Sequence, residues 1–249
     1  MEKFKKPWSH LSKKAIPAPL REIIALIFYE LPPKYLLVGG TALSGCYFAH
    51  RRSDDINIFV ENYHLHKILI KKIKSIKNLQ FIHEDSFPAY FHSQNIFKHH
   101  SFTIDIVVDK NIFSSLEKVY CTKENIFVPD LKTLLKMKAA TLVSRCSEKD
   151  LYDLFFIFDF FPHFHIKDLI SMGMEIDSGV NAENLCMSLG GAEVSRSACN
   201  FSIDKNISQD DIFEKIKKIQ SLLLKQFMEY EKFNTNNTIS SILEKLKKM

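Results

Sequence analysis

Three side chains in this sequence stand where a divalent cation would need them. Asp55 and Asn57 lie two apart in the strand-like run "DINIF". Side chains alternate along a strand, so these two share a face while Asp54 points away. Asp105 sits in the middle of "FTIDIVV", flanked by Ile104, Ile106 and Val107. A carboxylate inside an apolar strand is costly unless it is paired or bound to a metal. The competing reading is an aspartate at a strand edge, facing water. Just upstream, "LLVGGTALSGCYFAHRRSDD" holds Gly39, Gly40 and Gly45, three of only seven glycines in the chain. A strand, a Gly-Gly pair and a short helix can bring backbone N–H groups against a phosphate. Glycine permits the close approach, and a helix N-terminus favours negative charge. The same turn can also simply be tight. It is not a P-loop, since no Gly-Lys-Ser/Thr follows, and G-x-G-x-x-G is absent.

The elements that must position these residues are legible in outline. "APLREIIALIFYE" spaces Leu20, Ile23, Ile24 and Ile27 at helical intervals, and Pro32 and Pro33 stop that helix. "YLLVGG" reads as a buried strand ending in glycines, "TALSGCYFAH" as a short helix and "INIFV" as a second strand. "HLHKILIKKIKSIKN" is an amphipathic helix, "LQFIHED" and "PAYFHS" form a hairpin, and "SFTIDIVVD" is a further strand. Past Val128 the pattern turns helical. "PDLKTLLKMKAATLVSRCS" and "EKDLYDLFFIFDFF" run as helix to Pro162, with "LFFIFDFF" a buried segment. Residues 171–207 hold the other four glycines and read as a loop-rich connection. "SQDDIFEKIKKIQSLLLKQFMEYEKF" is a long amphipathic helix with a near capping box at Ser208 and Asp211, and "NNTISSILEKLKKM" a short last one. The expected architecture is α/β (α+β): a mixed-sheet domain over 1–125, then a helical bundle over 126–249 that contributes to the cleft.

Composition narrows the classes. A net charge of +5 favours an anionic partner only weakly. The five cysteines are odd in number and contain no C-x-x-C pair, which argues against a disulfide framework or zinc site and for a reducing, cytoplasmic setting. The basic "MEKFKKPWSHLSKK" lacks the apolar core of a signal peptide, and no run is long and apolar enough to span a bilayer. His99 and His100 are adjacent, and His163 and His165 have no companion ligand, so none is read as a metal site. The lysines of "HKILIKKIKSIKN" and "EKIKKIQ" read as solvated helix faces, with a phosphate-backbone footprint for RNA as the lesser reading.

The order and spacing of these motifs resemble the AbiEii/AbiGii-type toxin nucleotidyltransferases, within the polymerase-beta-like nucleotidyltransferase superfamily. The resemblance runs through Gly39, Gly40, Thr41, Ala42 and Leu43, then Arg51, Ser53, Asp55 and Ile56, and later Asp105. It continues in "LLKMKAATLVSRCSEKDLYDL" with Lys138, Arg145, Lys149, Asp150, Asp153 and Leu154, covering roughly residues 20 to 160. It implies a Mg²⁺-dependent (or Mn²⁺-dependent) transfer of a nucleotide from an NTP to a hydroxyl, at the 3′ end of a tRNA or other RNA or on a protein. Gly39, Gly40, Thr41, Arg51 and Ser53 would hold the nucleotide. Asp55 and Asp105, with Asn57 in support, would hold the metal. Lys138 would bind phosphate, and Asp150 and Asp153 would complete the catalytic set. A cognate antitoxin is implied as partner, with no membrane or DNA. One departure stands out: where the family has the second carboxylate of Asp-x-Asp, this chain has Asn57. The alternative is therefore a catalytically impaired nucleotide- or RNA-binding module of the same fold, or a scaffold with an empty site.

Overall fold

The computed structural model describes residues 7–247, and side chains for 10–232. The first six residues of the basic N-terminal stretch lie outside the described residues. The chain divides into two compact units. The first runs to Leu134 and takes in Phe201–Asn206; the second comprises Leu135–Asn200 and the chain from Ile207. The boundary expected at 125/126 falls ahead of this division, because the small hairpin that follows still packs on the first strand of the sheet.

The first unit begins with α1 (Pro7–Ala15) and α2 (Ala18–Phe28), followed by β1 (Tyr35–Val38). Next come α3 (Gly39–Ala42), running directly into a π-helical turn at Leu43–Phe48, then β2 (Asp55–Val60) and α4 (Tyr63–Lys74). The expected hairpin is β3 (Gln80–Ser86) and β4 (Tyr90–Phe97), and β5 (His100–Val108) closes the sheet. After α5 (Lys110–Ser115), a two-stranded ribbon forms from β6 (Val119–Cys121) and β7 (Phe127–Pro129). The five-stranded sheet has the order β1-β2-β5-β4-β3. β2 and β5 are parallel and the other neighbours antiparallel, so the sheet is mixed, as expected.

Strand alternation decides what each face of the sheet does. Ile56, Ile58 and Val60 of β2, Phe102, Ile104 and Ile106 of β5, and Phe91 and Phe97 of β4 are all buried on one face, backed by α2 and α4. Burying eight such side chains is worth roughly 1.5–3 kcal/mol each, and a one-residue slip of any strand would forfeit its share. Register is therefore firmly held, and with it the opposite face. That face carries Asp55, Asn57, Thr103, Asp105, Tyr90, His92 and Gln94, all partly or fully exposed.

The second unit is helical. It holds most of α6 (Leu131–Ser144), then α7 (Glu148–Phe160), α8 (Ile166–Met174), α9 (Ala182–Gly191) and α10 (Gln209–Lys247). Four expectations change here. α6 and α7 do not run on as one helix, because Ser147 starts α7 with a capping box to Asp150. Residues 171–207 contain α9, the end of α8 and a short 3₁₀ turn where a loop-rich connection was expected. One of their glycines serves packing: a Cβ on Gly173 would meet Val180 at 2.7 Å and Ala139 at 3.0 Å. The two C-terminal helices read from the sequence are one 39-residue backbone helix, α10, with side chains described only to 232. Its capping box holds, as Ser208 N–H donates to Asp211 and Asp211 N–H to the Ser208 hydroxyl. "LFFIFDFF" is buried on one side only, with Leu154 and Ile157 inside and Asp159 and Phe160 exposed.

Candidate active site

The pairing register assembles the sheet-face site. Val38 pairs with Asn57, Asn57 with Asp105, Asp105 with His92 and His92 with Asp85, so one transverse row crosses all five strands. In the next row Asp55 pairs with Thr103, which pairs with Gln94. Asp55 and Asp105 thus share a face on adjacent parallel strands, two residues out of register. Strand spacing and rise put their Cα atoms about 8 Å apart. The carboxylates are individually anchored. The Thr103 hydroxyl donates to Asp55 Oδ1 at 3.1 Å. Asp105 Oδ1 accepts from the Tyr90 hydroxyl at 2.6 Å and from His92 Nδ1 at 2.8 Å. A carboxylate only accepts, so this contact calls for a proton on His92 Nδ1.

Tyr90, His92 and Thr103 were not singled out in the sequence. Their alternation was visible in "PAYFHS" and "SFTIDIVVD", but only the pairing of β5 with β4 and β2 brings them to the two acids. Asp54 turns away as the pleat requires, toward Arg52 at 3.4 Å and His100 at 3.5 Å.

The Gly-Gly turn abuts this row. Gly39 has φ +68°, a conformation side chains disfavour, and a Cβ there would lie 2.9 Å from Asn57 Nδ2. A Cβ on Gly40 would collide with the Arg51 guanidinium. Two glycines are therefore needed because two side chains press against the turn. Arg51 is 2% exposed; it donates to the Arg52 carbonyl at 3.1 Å and lies over the Phe201 ring. Thr41 and Ser53 were expected to reach a phosphate. Both are buried, with hydroxyls 2.9 Å apart, and Thr41 also donates to the Asp55 carbonyl. These bonds tie the start of α3 to the start of β2, so the two residues fix the turn in place. Gly39 and Gly40 remain partly exposed.

Lys138, Asp150 and Asp153 meet in the second unit as a buried triad. The Lys138 ammonium lies 2.8 Å from Asp150 and 2.7 Å from Asp153, with side chains 9%, 5% and 0% exposed. Burial works to raise the Asp150 carboxyl. The Lys138 charge and hydrogen bonds from Lys138 and Ser147 outweigh it and hold the group at about 2. Lys138, Asp150 and Asp153, expected to serve the catalytic set, form an interior ion-pair cluster here, and Asp150 doubles as the capping residue of α7.

Thiol chemistry does not compete for the role of nucleophile. Burial pushes all five cysteine thiols up, Cys146 to about 12 and Cys199 to about 11. All five are free of disulfides. Among the described residues, no group of three His, Cys, Asp or Glu side chains is placed to hold a metal, and no helix is long and apolar enough to cross a membrane.

A mixed sheet with a Gly-Gly turn against paired strand acids, followed in sequence by helices, defines a nucleotidyltransferase-like fold. The family model for the nucleotidyl transferase AbiEii toxin of type IV toxin–antitoxin systems matches residues 24–172, and the chain belongs to that family. It is a nucleotidyltransferase of the toxin class. Among solved structures it is similar to MenT4, a nucleotidyltransferase toxin from Mycobacterium tuberculosis H37Rv. The TM-score is 0.51 at 11% identity, over 82% of each chain. It is also similar to JHP933 from Helicobacter pylori, with a TM-score of 0.48 at 15% identity, over 94% of this chain and 98% of that one. No curated protein sequence matches it.

Proposed function

We propose that this chain transfers a nucleotide from an NTP to a hydroxyl, with an RNA 3′ end as acceptor, using a divalent cation carried in with the nucleotide. The observation that supports this most is the placement of Asp55 and Asp105 on one open sheet face beside the Gly39–Gly40 turn. The partly exposed turn, where glycine permits close approach, would receive the triphosphate. The acceptor hydroxyl would attack the α-phosphorus, passing its proton to Asp105 or to solvent; the new O–P bond forms as the bond to the bridging oxygen breaks and pyrophosphate leaves.

Mg²⁺ is commonly held by one or two carboxylates together with substrate phosphates. The donor set of Asp55, Asp105 and the Asn57 carbonyl fits that pattern. Bound there, Mg²⁺ or Mn²⁺ would neutralise charge on the phosphates. The family also supports a cognate antitoxin that counters the activity.

The second reading, a binding module with impaired catalysis, draws on Asn57, which supplies an oxygen without a charge. The test is incubation with each α-labelled NTP and Mg²⁺ in the presence of total RNA or lysate protein. Label in RNA, lost in Asp55→Ala, is the expected result. Label in protein alone would move the acceptor to a side chain. Calorimetric NTP binding with no transfer to either acceptor would favour the binding module.

A further inference from the structure

Asp105 is held in an unusual way for an acid on an open face. Both of its hydrogen bonds go to the same oxygen, Oδ1, and both donors come from one neighbouring strand, two residues apart. The donors are themselves in contact: the Tyr90 and His92 rings lie 6.4 Å apart at 19°. His92 is the direct register partner of Asp105, and Tyr90, two residues along, pairs with Val107. Two rings on one strand thus converge on one carboxylate oxygen. Among the described residues, Oδ2 of Asp105 takes no hydrogen bond.

We propose that Tyr90 and His92 are positioning residues for the transfer reaction, a clamp that pins Asp105 through Oδ1 and so presents Oδ2 to the reacting groups. The proposal rests on the nucleotidyl-transfer reading above. The physical reason for such a clamp lies in the strand. An aspartate on an exposed strand face turns about two torsions, and its terminal torsion is broad and roughly two-fold. With one donor the carboxylate can still swing; with two donors, set two residues apart on the neighbouring strand, its orientation is held. A reacting group needs its partner fixed to within a fraction of an ångström, and misplacement by about 1 Å can cost on the order of a hundredfold in rate. The need is sharper here, because Asn57 leaves Asp105 as the only carboxylate in its transverse row between Val38 and His92.

Position across the sheet also assigns the clamp a side. The Gly39–Gly40 turn adjoins β1, the acids lie on β2 and β5, and Tyr90 and His92 lie beyond them on β4. A nucleotide seated at the turn therefore approaches from the side opposite the clamp. Loss of the clamp should disturb the reaction step and leave nucleotide capture intact.

The experiment uses the full chain, total cellular RNA as acceptor and α-labelled NTP as donor. Tyr90→Phe keeps the ring and removes one donor. His92→Ala removes the other. His92→Asn keeps an N–H where Nδ1 stood. Expected are about a tenfold fall in kcat for Tyr90→Phe and for His92→Ala, a larger fall in the double variant, near wild-type kcat for His92→Asn, and unchanged KM for NTP throughout. Nitrogen-detected NMR of the wild type should show His92 in the Nδ1–H tautomer, with that signature lost in Asp105→Ala. The proposal is overturned if both single variants keep kcat within twofold, if the losses fall on the KM for NTP, or if His92→Asn fails to restore the rate. Absence of any transfer by the wild type sinks the nucleotidyl-transfer reading itself. The tautomer measurement then decides the clamp alone, and an Nε2–H tautomer refutes it.

Discussion

Two pairs of aspartates in this molecule have the same chemistry and opposite circumstances. In the first unit, Asp55 and Asp105 stand on an open sheet face, where Thr103, Tyr90 and His92 donate to them. In the second, Asp150 and Asp153 are buried around the Lys138 ammonium. A buried carboxylate must be neutralised by its own protein, because desolvation of a lone charge costs several kcal/mol. Its charge is then committed to a lysine a few ångströms away. Asp55 and Asp105, met by hydrogen-bond donors on a partly exposed face, remain within reach of what arrives from solvent. Spacing alone cannot tell these cases apart. Asp55 and Asn57, two apart on a strand, and Asp150 and Asp153, three apart on a helix, each share a face.

The sharpest way to break this comparison is to remove one member of each set. Lys138→Met should lower the unfolding free energy in urea by about 3–5 kcal/mol, because it strands two buried carboxylates. Asp55→Asn should change stability by less than about 1 kcal/mol, as partly exposed substitutions generally do, while abolishing transfer. Equal stability losses in the two variants would erase the distinction between them.

A smaller effect is expected with pH. The folded Asp150 carboxyl sits at about 2, below its ordinary 3.8. A depressed folded pKa contributes stability that is fully present above the ordinary value and is lost as pH falls from about 3.8 toward 2. The contribution is ~2 kcal/mol. Urea unfolding of wild type and Asp150→Asn between pH 5 and 2.5 should give a steeper decline for the wild type. Parallel curves would mean that Lys138 does not hold this carboxylate in its charged form.

The smallest effect concerns the amide between the two glycines and Asp105. Asn57→Asp adds a charge to the open set only. Charge-assisted contacts are roughly twice as strong as neutral ones, so Mg²⁺-dependent NTP affinity should tighten by on the order of 1 kcal/mol, about fivefold. A Mg²⁺ titration of NTP binding reads this directly. If Asn57→Asp and Asp55→Ala both leave the titration unchanged, no cation is held on this face.

The sequence alone determined the five strands of the larger sheet, their alternation, the Gly-Gly turn and the α/β-then-helical order. These follow from local periodicity and from glycine's backbone freedom, which neighbouring residues disclose. It also determined that Asp55 and Asn57 share a face, since a strand's period is two. It missed the small β6–β7 ribbon, the break at Ser147, where a capping box interrupts two good helical patterns, and the helices within 171–207, where small polar residues masked amphipathic packing. What only the tertiary structure decided is which neighbours each charge acquires. The order β2-β5-β4 sets Tyr90 and His92 on Asp105, though they lie fifteen and thirteen residues away in the chain. The packing of α6 with α7 carries Lys138 to two aspartates and takes all three out of water. Thr41 and Ser53 likewise turn inward to each other, because β2 returns beside the turn. Charges act over a few ångströms at energies that depend on burial, and neither separation nor burial is a property of sequence neighbours.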